Sequence, residues 1–182
     1  MVLNPRWSSP GNSMTRMAVL TTERLVLREM TGADLDLIAA LFGDEEVMRY
    51  YPKPMTRDEA RSWVEWNQRL YRSQGFGLWA MVLRDTGEFA GDCGLTPQYV
   101  DGIKEIEVGY HVCTSLQGNG YATEAAAAAR DFARDVLFLS RLIAIINPAN
   151  VPSQRVAGKI GLRPEKRATV FGSEQIIYAA AI

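Results

Sequence analysis

A strand-like stretch gives way to an alanine-rich helix through Leu116-Gln117-Gly118-Asn119-Gly120-Tyr121-Ala122-Thr123-Glu124-Ala125. Two glycines at the mouth of a helix can take backbone angles that aim successive N–H groups into a concave nest. The first four N–H groups of a helix have no partner inside the helix, and the helix dipole favours an anion beside them. The segment therefore predicts a diphosphate site built from the backbone amides of residues 118–122.

Three interpretations of these glycines compete. A P-loop requires Lys followed by Ser or Thr after its second glycine, and Tyr121-Ala122 stands there instead, which excludes it. A dinucleotide-binding turn requires Gly or Ala at the position of Thr123, and no nearby strand supplies an acidic residue for the ribose. A plain glycine-rich turn that starts a good helix stays open on the glycines alone.

The composition of the chain limits the classes of protein to which it can belong. A length of 182 residues fits one domain, and 47% hydrophobic residues are enough to form a core. A net charge of -1 argues against a nucleic-acid partner, and no apolar run approaches the roughly 20 residues of a membrane span. Cys93 and Cys113 lack CxxC spacing and are expected to be small buried residues rather than a disulfide. With one histidine no metal site is expected, and the protein is predicted to be cytoplasmic.

The order of elements predicts a mixed α/β domain. Residues 1–20 lack any sustained periodicity and are predicted to be a flexible N-terminal leader, followed by a single domain over residues 21–182. Thr56-Arg57-Asp58-Glu59 matches a capping box and predicts a helix start. Strands are predicted at 24–28, 76–84, 88–96, 103–112 and 142–146, with two more near the C-terminus; helices are predicted at about 120–138 and 151–160. Strand–helix–strand order in the second half implies one parallel pairing.

Several segments together resemble the GNAT N-acetyltransferase superfamily. Gln117-x-x-Gly120-x-Ala122 matches the motif by which that family holds the pyrophosphate of coenzyme A, and the longer run resembles the ribosomal-protein N-acetyltransferase branch. Glu107-Val108-Gly109-Tyr110 resembles the family's fourth strand, and the segment 147–153 resembles the exit of its fifth. Lys159-Ile160-Gly161-Leu162 resembles the end of the following helix. The likeness covers about residues 20–182.

The resemblance implies a GNAT fold, an α/β (α+β) domain with a mixed, mostly antiparallel, twisted sheet of about six or seven strands and helices on both faces. It implies acetyl-CoA as cosubstrate and no metal. In the family the fourth and fifth strands splay apart, and the pantetheine arm pairs with the freed backbone. The residues expected to hold the cosubstrate are Val112, Cys113, Gln117, Gly118, Asn119, Gly120, Tyr121, Ala122, Thr123, Asn150 and Ser153.

Two residues are candidates for catalysis. Glu105, Glu107, Gly109 and His111 share one face of their strand by alternation. A central strand carries carboxylates at a cost unless they are paired, and Glu105 is expected to pair with Arg or Lys or to reach solvent. Glu107 matches the family position credited with accepting the amine's proton. His111 is expected to have a packed or hydrogen-bonded role.

Ser153 matches the position from which some relatives protonate the leaving thiolate. Tyr110, Tyr121 and solvent remain alternatives for that proton. Asn150 is expected to cap the helix that begins near Val151, and by resemblance its amide also touches the pantetheine arm. The backbone N–H of Val112 is the first candidate to stabilise an oxyanion.

The predicted function is transfer of an acetyl group from acetyl-CoA to a primary amine by direct attack in a ternary complex. The acceptor is a protein N-terminus or, as the alternative, a small amine metabolite or antibiotic. A non-catalytic CoA-binding module and a nucleotide-binding protein are the other classes left open, and homo-oligomerisation stays open too.

Overall fold

A computed structural model describes residues 18–182 of the chain. Its strands are β1 (Ala18–Thr21), β2 (Leu25–Arg28), β3 (Leu78–Leu83), β4 (Phe89–Val100), β5 (Ile103–Val112), β6 (Arg141–Ile146), β7 (Arg163–Val170) and β8 (Ser173–Ala181). Its α-helices are α1 (Leu35–Gly43), α2 (Arg57–Gln74), α3 (Tyr121–Asp135) and α4 (Val151–Lys159).

The strands form one sheet in the order β1-β2-β3-β4-β5-β6-β8-β7. Every pairing is antiparallel except β5–β6, which is parallel and follows the α3 crossover. The mixed, mostly antiparallel sheet is thus confirmed. It has eight strands among the described residues, where about six or seven were predicted. The additional strand is β1, in which Ala18, Leu20 and Thr21 pair with β2; four residues are too few to show a period. Residues 1–17 of the predicted leader lie outside the described residues.

Helices cover both faces of the sheet, as predicted. On β3, Leu78 and Ala80 pack with α1 and α2, whereas Trp79 and Met81 pack with the alanines of α3 and with α4. Because both faces are covered, all six residues of β3 are buried.

Two caps fix the entry to the first helices. Thr56 and Glu59 form the predicted capping box at the start of α2, and Thr31 and Asp34 form another at a short 3₁₀ turn before α1. The loop between α1 and α2, residues 44–56, is therefore fixed at its C-terminal end by the Thr56 capping box. Tyr51 of this loop contacts His111 of β5. Within residues 18–182, no helix is both long and apolar enough to cross a membrane.

Candidate functional site

The site begins where β5 and β6 part. These two strands are in register at one pair, Glu107 and Ile143. The N–H of Cys113 donates to the carbonyl oxygen of Ala90 on β4 at 2.9 Å, and in an antiparallel ladder the peptide groups of alternate residues face the partner. The peptide groups of Tyr110 and Val112 therefore face the β6 side, beyond the last paired position. The sheet opens next to Gly109, as expected.

The predicted diphosphate nest lies beside this opening. Gly118 and Gly120 have φ angles of 79° and 84°, which glycine adopts without strain. Among the described residues, no acceptor bonds the backbone N–H groups of residues 118–122; the first helical bond runs from Glu124 N–H to the Gly120 carbonyl oxygen. Side-chain amides brace the loop, because Gln117 Nε2 donates to the Val112 oxygen at 3.1 Å and Asn119 Nδ2 to the Leu116 oxygen at 3.0 Å.

A clamp that sequence reasoning missed holds this loop against β2. The guanidinium of Arg24 donates to the Asn119 carbonyl oxygen at 2.9 Å and to Glu124 Oε2 at 2.7 Å, and it lies 4.7 Å from the Tyr121 ring centroid. Thr22 Oγ1 donates to Glu124 Oε1 at 2.6 Å, and these donors lower the pKa of Glu124 against the opposing effect of burial. Arg24 and Glu124 lie 100 positions apart, so no local spacing marks the pair.

The predicted residues near this loop divide into two groups. Tyr121, Ala122 and Thr123 form the first turn of α3, beside the nest. The predicted backbone pairing of Cys113 with a ligand is contradicted. The Cys113 N–H donates to the Ala90 carbonyl oxygen, and the Cys113 carbonyl oxygen accepts from Leu116 N–H at 2.8 Å. Both Cys113 peptide groups are therefore used inside the fold, and Val112 alone of the two presents its N–H to the opening.

Glu107 faces α1 and α2 from the middle of β5. Its Oε2 accepts from Gln98 Nε2 at 2.9 Å and from Thr96 Oγ1 at 3.2 Å, and Thr96 lies directly opposite in register. The backbone N–H of Ile145 on β6 lies near the carboxylate and favours its ionised form. Burial outweighs these donors and raises the pKa of Glu107 to about 7, which suits a base that works near neutral pH.

Glu105 behaves differently from Glu107. Its carboxylate lies 3.1 Å from Arg141 Nε, and Arg141 also pairs with Glu165 at 2.8 Å. The expected pairing of Glu105 with a cation is confirmed, and this carboxylate is part of a sheet-bracing network.

Tyr110 and Ser153 come together on the other face of the sheet. Their hydroxyl oxygens are 3.0 Å apart, and Tyr110 also donates to the Ser153 carbonyl oxygen at 2.9 Å. Burial raises the pKa of Tyr110 above its usual value, partly offset by the bond with Ser153. Asn150 Oδ1 accepts from Ser153 N–H at 3.1 Å, so the predicted N-cap of α4 is confirmed. Two of the alternative proton donors are thus one hydrogen-bonded pair.

His111 forms a chain of hydrogen bonds between a buried carboxylate and a phenol. Its Nδ1 is 2.7 Å from Asp92 Oδ1, and its Nε2 is 2.7 Å from the hydroxyl of Tyr51 in the α1–α2 loop. Asp92 is fully buried and also accepts from Trp63 Nε1 at 3.3 Å. The hydrogen-bonded role expected for His111 is present, whereas Asp92 and Tyr51 were not predicted. Within the described part of the chain, no cluster of three metal-ligating side chains occurs.

Comparison with known proteins shows what this arrangement resembles. A family model described as an acetyltransferase (GNAT) domain matches residues 24–163. The uncharacterized protein YkkB of Bacillus subtilis is 37% identical over 166 residues, which cover 91% of this chain and 96% of that protein. The crystal structure of an acetyltransferase from Agrobacterium tumefaciens matches with a TM-score of 0.80 at 26% identity, with 100% of each chain covered.

One further solved structure is similar to this chain in fold alone. The ribosomal L7/L12 alpha-N-protein acetyltransferase RimL, in complex with coenzyme A, matches with a TM-score of 0.73 at 19% identity, covering 91% of this chain and 98% of that one.

Proposed function

This chain belongs to the GNAT acetyltransferase family, whose domain model matches residues 24–163, and we propose that it transfers acetyl from acetyl-CoA to a primary amine by direct attack. Family membership makes it an acetyl-CoA-dependent acyltransferase. One observation carries the proposal: the nest at residues 118–122, whose N–H groups have no acceptor among the described residues, lies beside the place where β5 and β6 part. A diphosphate with an amide-bearing arm fits both features.

The chain offers a distinct group to each part of acetyl-CoA. The nest amides and the first turn of α3 face the diphosphate, and Arg24 holds that loop in place through Asn119. The outward peptide groups of Tyr110 and the N–H of Val112 provide a strand edge for the pantetheine arm. The Asn150 amide, at the N-cap of α4, is proposed as a further contact for that arm.

Glu107 is the proposed base. An ammonium has no lone pair, so one proton must leave the acceptor before attack. Glu107 accepts that proton, and its pKa of about 7 lets an appreciable fraction be ionised at neutral pH while keeping enough basicity to take the proton. The amine nitrogen then forms a bond to the acetyl carbon, and the carbonyl oxygen gains negative charge that the Val112 N–H is placed to stabilise.

Collapse of that species breaks the carbon–sulfur bond. The sulfur leaves with the electron pair, and the nitrogen loses its second proton to solvent. Either member of the Tyr110–Ser153 pair supplies the proton that the thiolate takes up. Because neither hydroxyl is coupled to a neighbouring base in the manner of a covalent nucleophile, direct transfer fits the arrangement better than an acyl-enzyme.

The proposed acceptor is a protein N-terminal amine. The support is the motif likeness to the ribosomal-protein branch and the fold likeness to a protein whose name includes alpha-N-protein acetyltransferase. The α1–α2 loop and the face of the sheet that carries Glu107 form the walls of the proposed acceptor site.

The test is thiol release from acetyl-CoA with a panel of amines. The panel holds short peptides with a free N-terminus, the same peptides with a formylated N-terminus, and small diamines. Release that requires the free N-terminus supports a peptide acceptor, and release with diamines alone redirects the proposal to small amines. Thiol release no faster than buffer hydrolysis with every amine, or tighter calorimetric binding of ATP or NAD than of acetyl-CoA, contradicts the proposed function.

A further inference from the structure

The hydrogen-bond chain from Asp92 through His111 to Tyr51 lies outside the catalytic roles described above. It spans three elements, because Asp92 is on β4, His111 is on β5, and Tyr51 is in the α1–α2 loop. Asp92 and His111 are directly opposite in the β4–β5 register. A buried carboxylate is costly to keep without partners. His111 bonds one Asp92 oxygen and Trp63 Nε1 donates to the other, so the carboxylate is fully partnered on this face.

The chain sets the polarity of the Tyr51 hydroxyl. An ionised carboxylate only accepts hydrogen bonds, so His111 Nδ1 carries the hydrogen that points at Asp92. In the neutral ring, Nε2 then accepts, and the Tyr51 hydroxyl is its donor at 2.7 Å. With His111 neutral, the Tyr51 hydrogen is committed to the imidazole, and the Tyr51 oxygen can offer only lone pairs to a group that approaches from the loop side.

Tyr51 lies on the same side of the sheet as Glu107. Its partner His111 projects from the same face of β5 as Glu107, four residues along the strand. Tyr51 is 45% exposed, so an acceptor can reach it. Its ring packs 5.6 Å from the His111 ring, and Phe42 packs against the opposite part of that imidazole at 4.8 Å, which limits rotation of both.

We propose that Tyr51 binds the acceptor amine, accepting one of its N–H groups, and that His111 and Asp92 are positioning residues that hold the phenol oxygen in this accepting orientation. The inference rests on the proposed function. It predicts a preference for primary over secondary amines. A neutral primary amine whose lone pair faces the thioester has one N–H to lose after attack and a second to donate to Tyr51, whereas an N-methyl amine has one N–H for both. One hydrogen bond of this kind corresponds to about a three- to tenfold effect on binding.

The experiment measures kcat and KM for the best amine of the panel and for its N-methyl analogue. The variants are Tyr51→Phe, which keeps the ring, and Tyr50→Phe, which removes the neighbouring phenol hydroxyl from the same loop. Tyr51→Phe is expected to raise the KM of the primary amine about three- to tenfold, to leave the KM of acetyl-CoA unchanged, and to reduce the preference over the N-methyl analogue by a similar factor. Tyr50→Phe is expected to match the wild type.

Two substitutions of His111 separate positioning from packing. His111→Gln keeps a carbonyl oxygen near the place of Nε2 and is expected to retain part of the Tyr51 effect. His111→Asn keeps a group near Asp92 only and is expected to behave like Tyr51→Phe. If wild-type enzyme acetylates the amine while Tyr51→Phe keeps its KM and its selectivity, the role of Tyr51 is wrong and the proposed function stands. The role of Tyr51 is also wrong if the KM of acetyl-CoA rises equally, which indicates a loosened loop. If the wild type acetylates no amine, the proposed function fails and this inference with it.

Discussion

Replacement of Glu107 with Gln removes the proposed base and keeps the size of the side chain. Because burial holds the Glu107 pKa at about 7, wild-type kcat/KM is expected to rise with pH up to about 7 and then level off. One pH unit below that value, roughly a tenth of the carboxylate is ionised. Loss of a general base typically lowers the rate by about 10²- to 10⁴-fold. Glu107→Gln should therefore have a kcat/KM lower by this factor, and its kcat/KM should not rise with pH.

The assay is thiol release between pH 5.5 and 9 with an amine whose pKa lies well above this range, so that the acceptor arrives as the ammonium at every pH and its own titration does not hide the rise of kcat/KM. Calorimetric titration with acetyl-CoA is the control, since Glu107 is not proposed to contact the diphosphate and the affinity should be kept. A variant that retains wild-type rates with an unchanged pH profile would refute the assignment and favour solvent as the base.

The same substitution has a stability effect that needs no substrate. The pKa of Glu107 is about 7 in the fold against an ordinary value of 4.5, so the ionised carboxylate is less favourable in the folded than in the unfolded chain. The free energy of unfolding of the wild type is therefore highest below pH 4.5 and falls by up to about 3 kcal/mol as the pH rises to 7. Glu107→Gln should have the higher Tm at pH 8, and the difference should shrink at pH 5.

Three further predictions concern the loop, the sheet and the leaving group. Arg24→Gln breaks the clamp on the diphosphate loop, and calorimetry should show acetyl-CoA binding about tenfold weaker with the acceptor KM unchanged. Gly91→Ala places a Cβ 2.0 Å from the His111 carbonyl oxygen at a φ of 139°, so urea unfolding should show that the free energy of unfolding falls by more than about 2 kcal/mol. The Cβ of Gly158→Ala, in α4, meets no atom within 4 Å, so this control variant should raise the free energy of unfolding by about 0.5–1 kcal/mol. Tyr110→Phe and Ser153→Ala should each lower kcat less than their combination does, because either hydroxyl can replace the other; a double variant with wild-type kcat would assign the leaving-group proton to solvent.

The conformation of the loop at residues 118–122, where the diphosphate is proposed to bind, was predictable because its signal is local. Two glycines with positive φ and an alanine-rich helix start lie within ten residues, and the physical reasons for each act over that same range. The clamp on the loop was not predictable, because Arg24 and Glu124 meet only after β2 and α3 have packed on the same sheet. The strand alternation of β5 placed Glu107 on the correct face but did not show what the face contacts.

The pairing of Asp92 with His111 lay within reach of the sequence. Asp-Gly is a sequence typical of a hairpin turn, and Asp101 and Gly102 both have positive φ, at 50° and 79°, as a two-residue hairpin of type I′ requires. Such a turn fixes Val100 opposite Ile103, and counting along both strands then puts Thr96 opposite Glu107 and Asp92 opposite His111. The partner in the α1–α2 loop could not be counted in this way, because no register links residues 44–56 to β5.

The opening of the sheet and the proposed base are one feature of the fold. If the β5–β6 ladder continued past Glu107 and Ile143, the Ile145 N–H would donate to the Val108 carbonyl oxygen. The ladder ends at that pair, and the Ile145 N–H lies near the Glu107 carboxylate, where it favours the ionised form against the effect of burial. The last paired residue of β5 is therefore also the proposed base. A partly buried carboxylate thus stands at the point where the two strands separate, and burial raises its pKa to about 7.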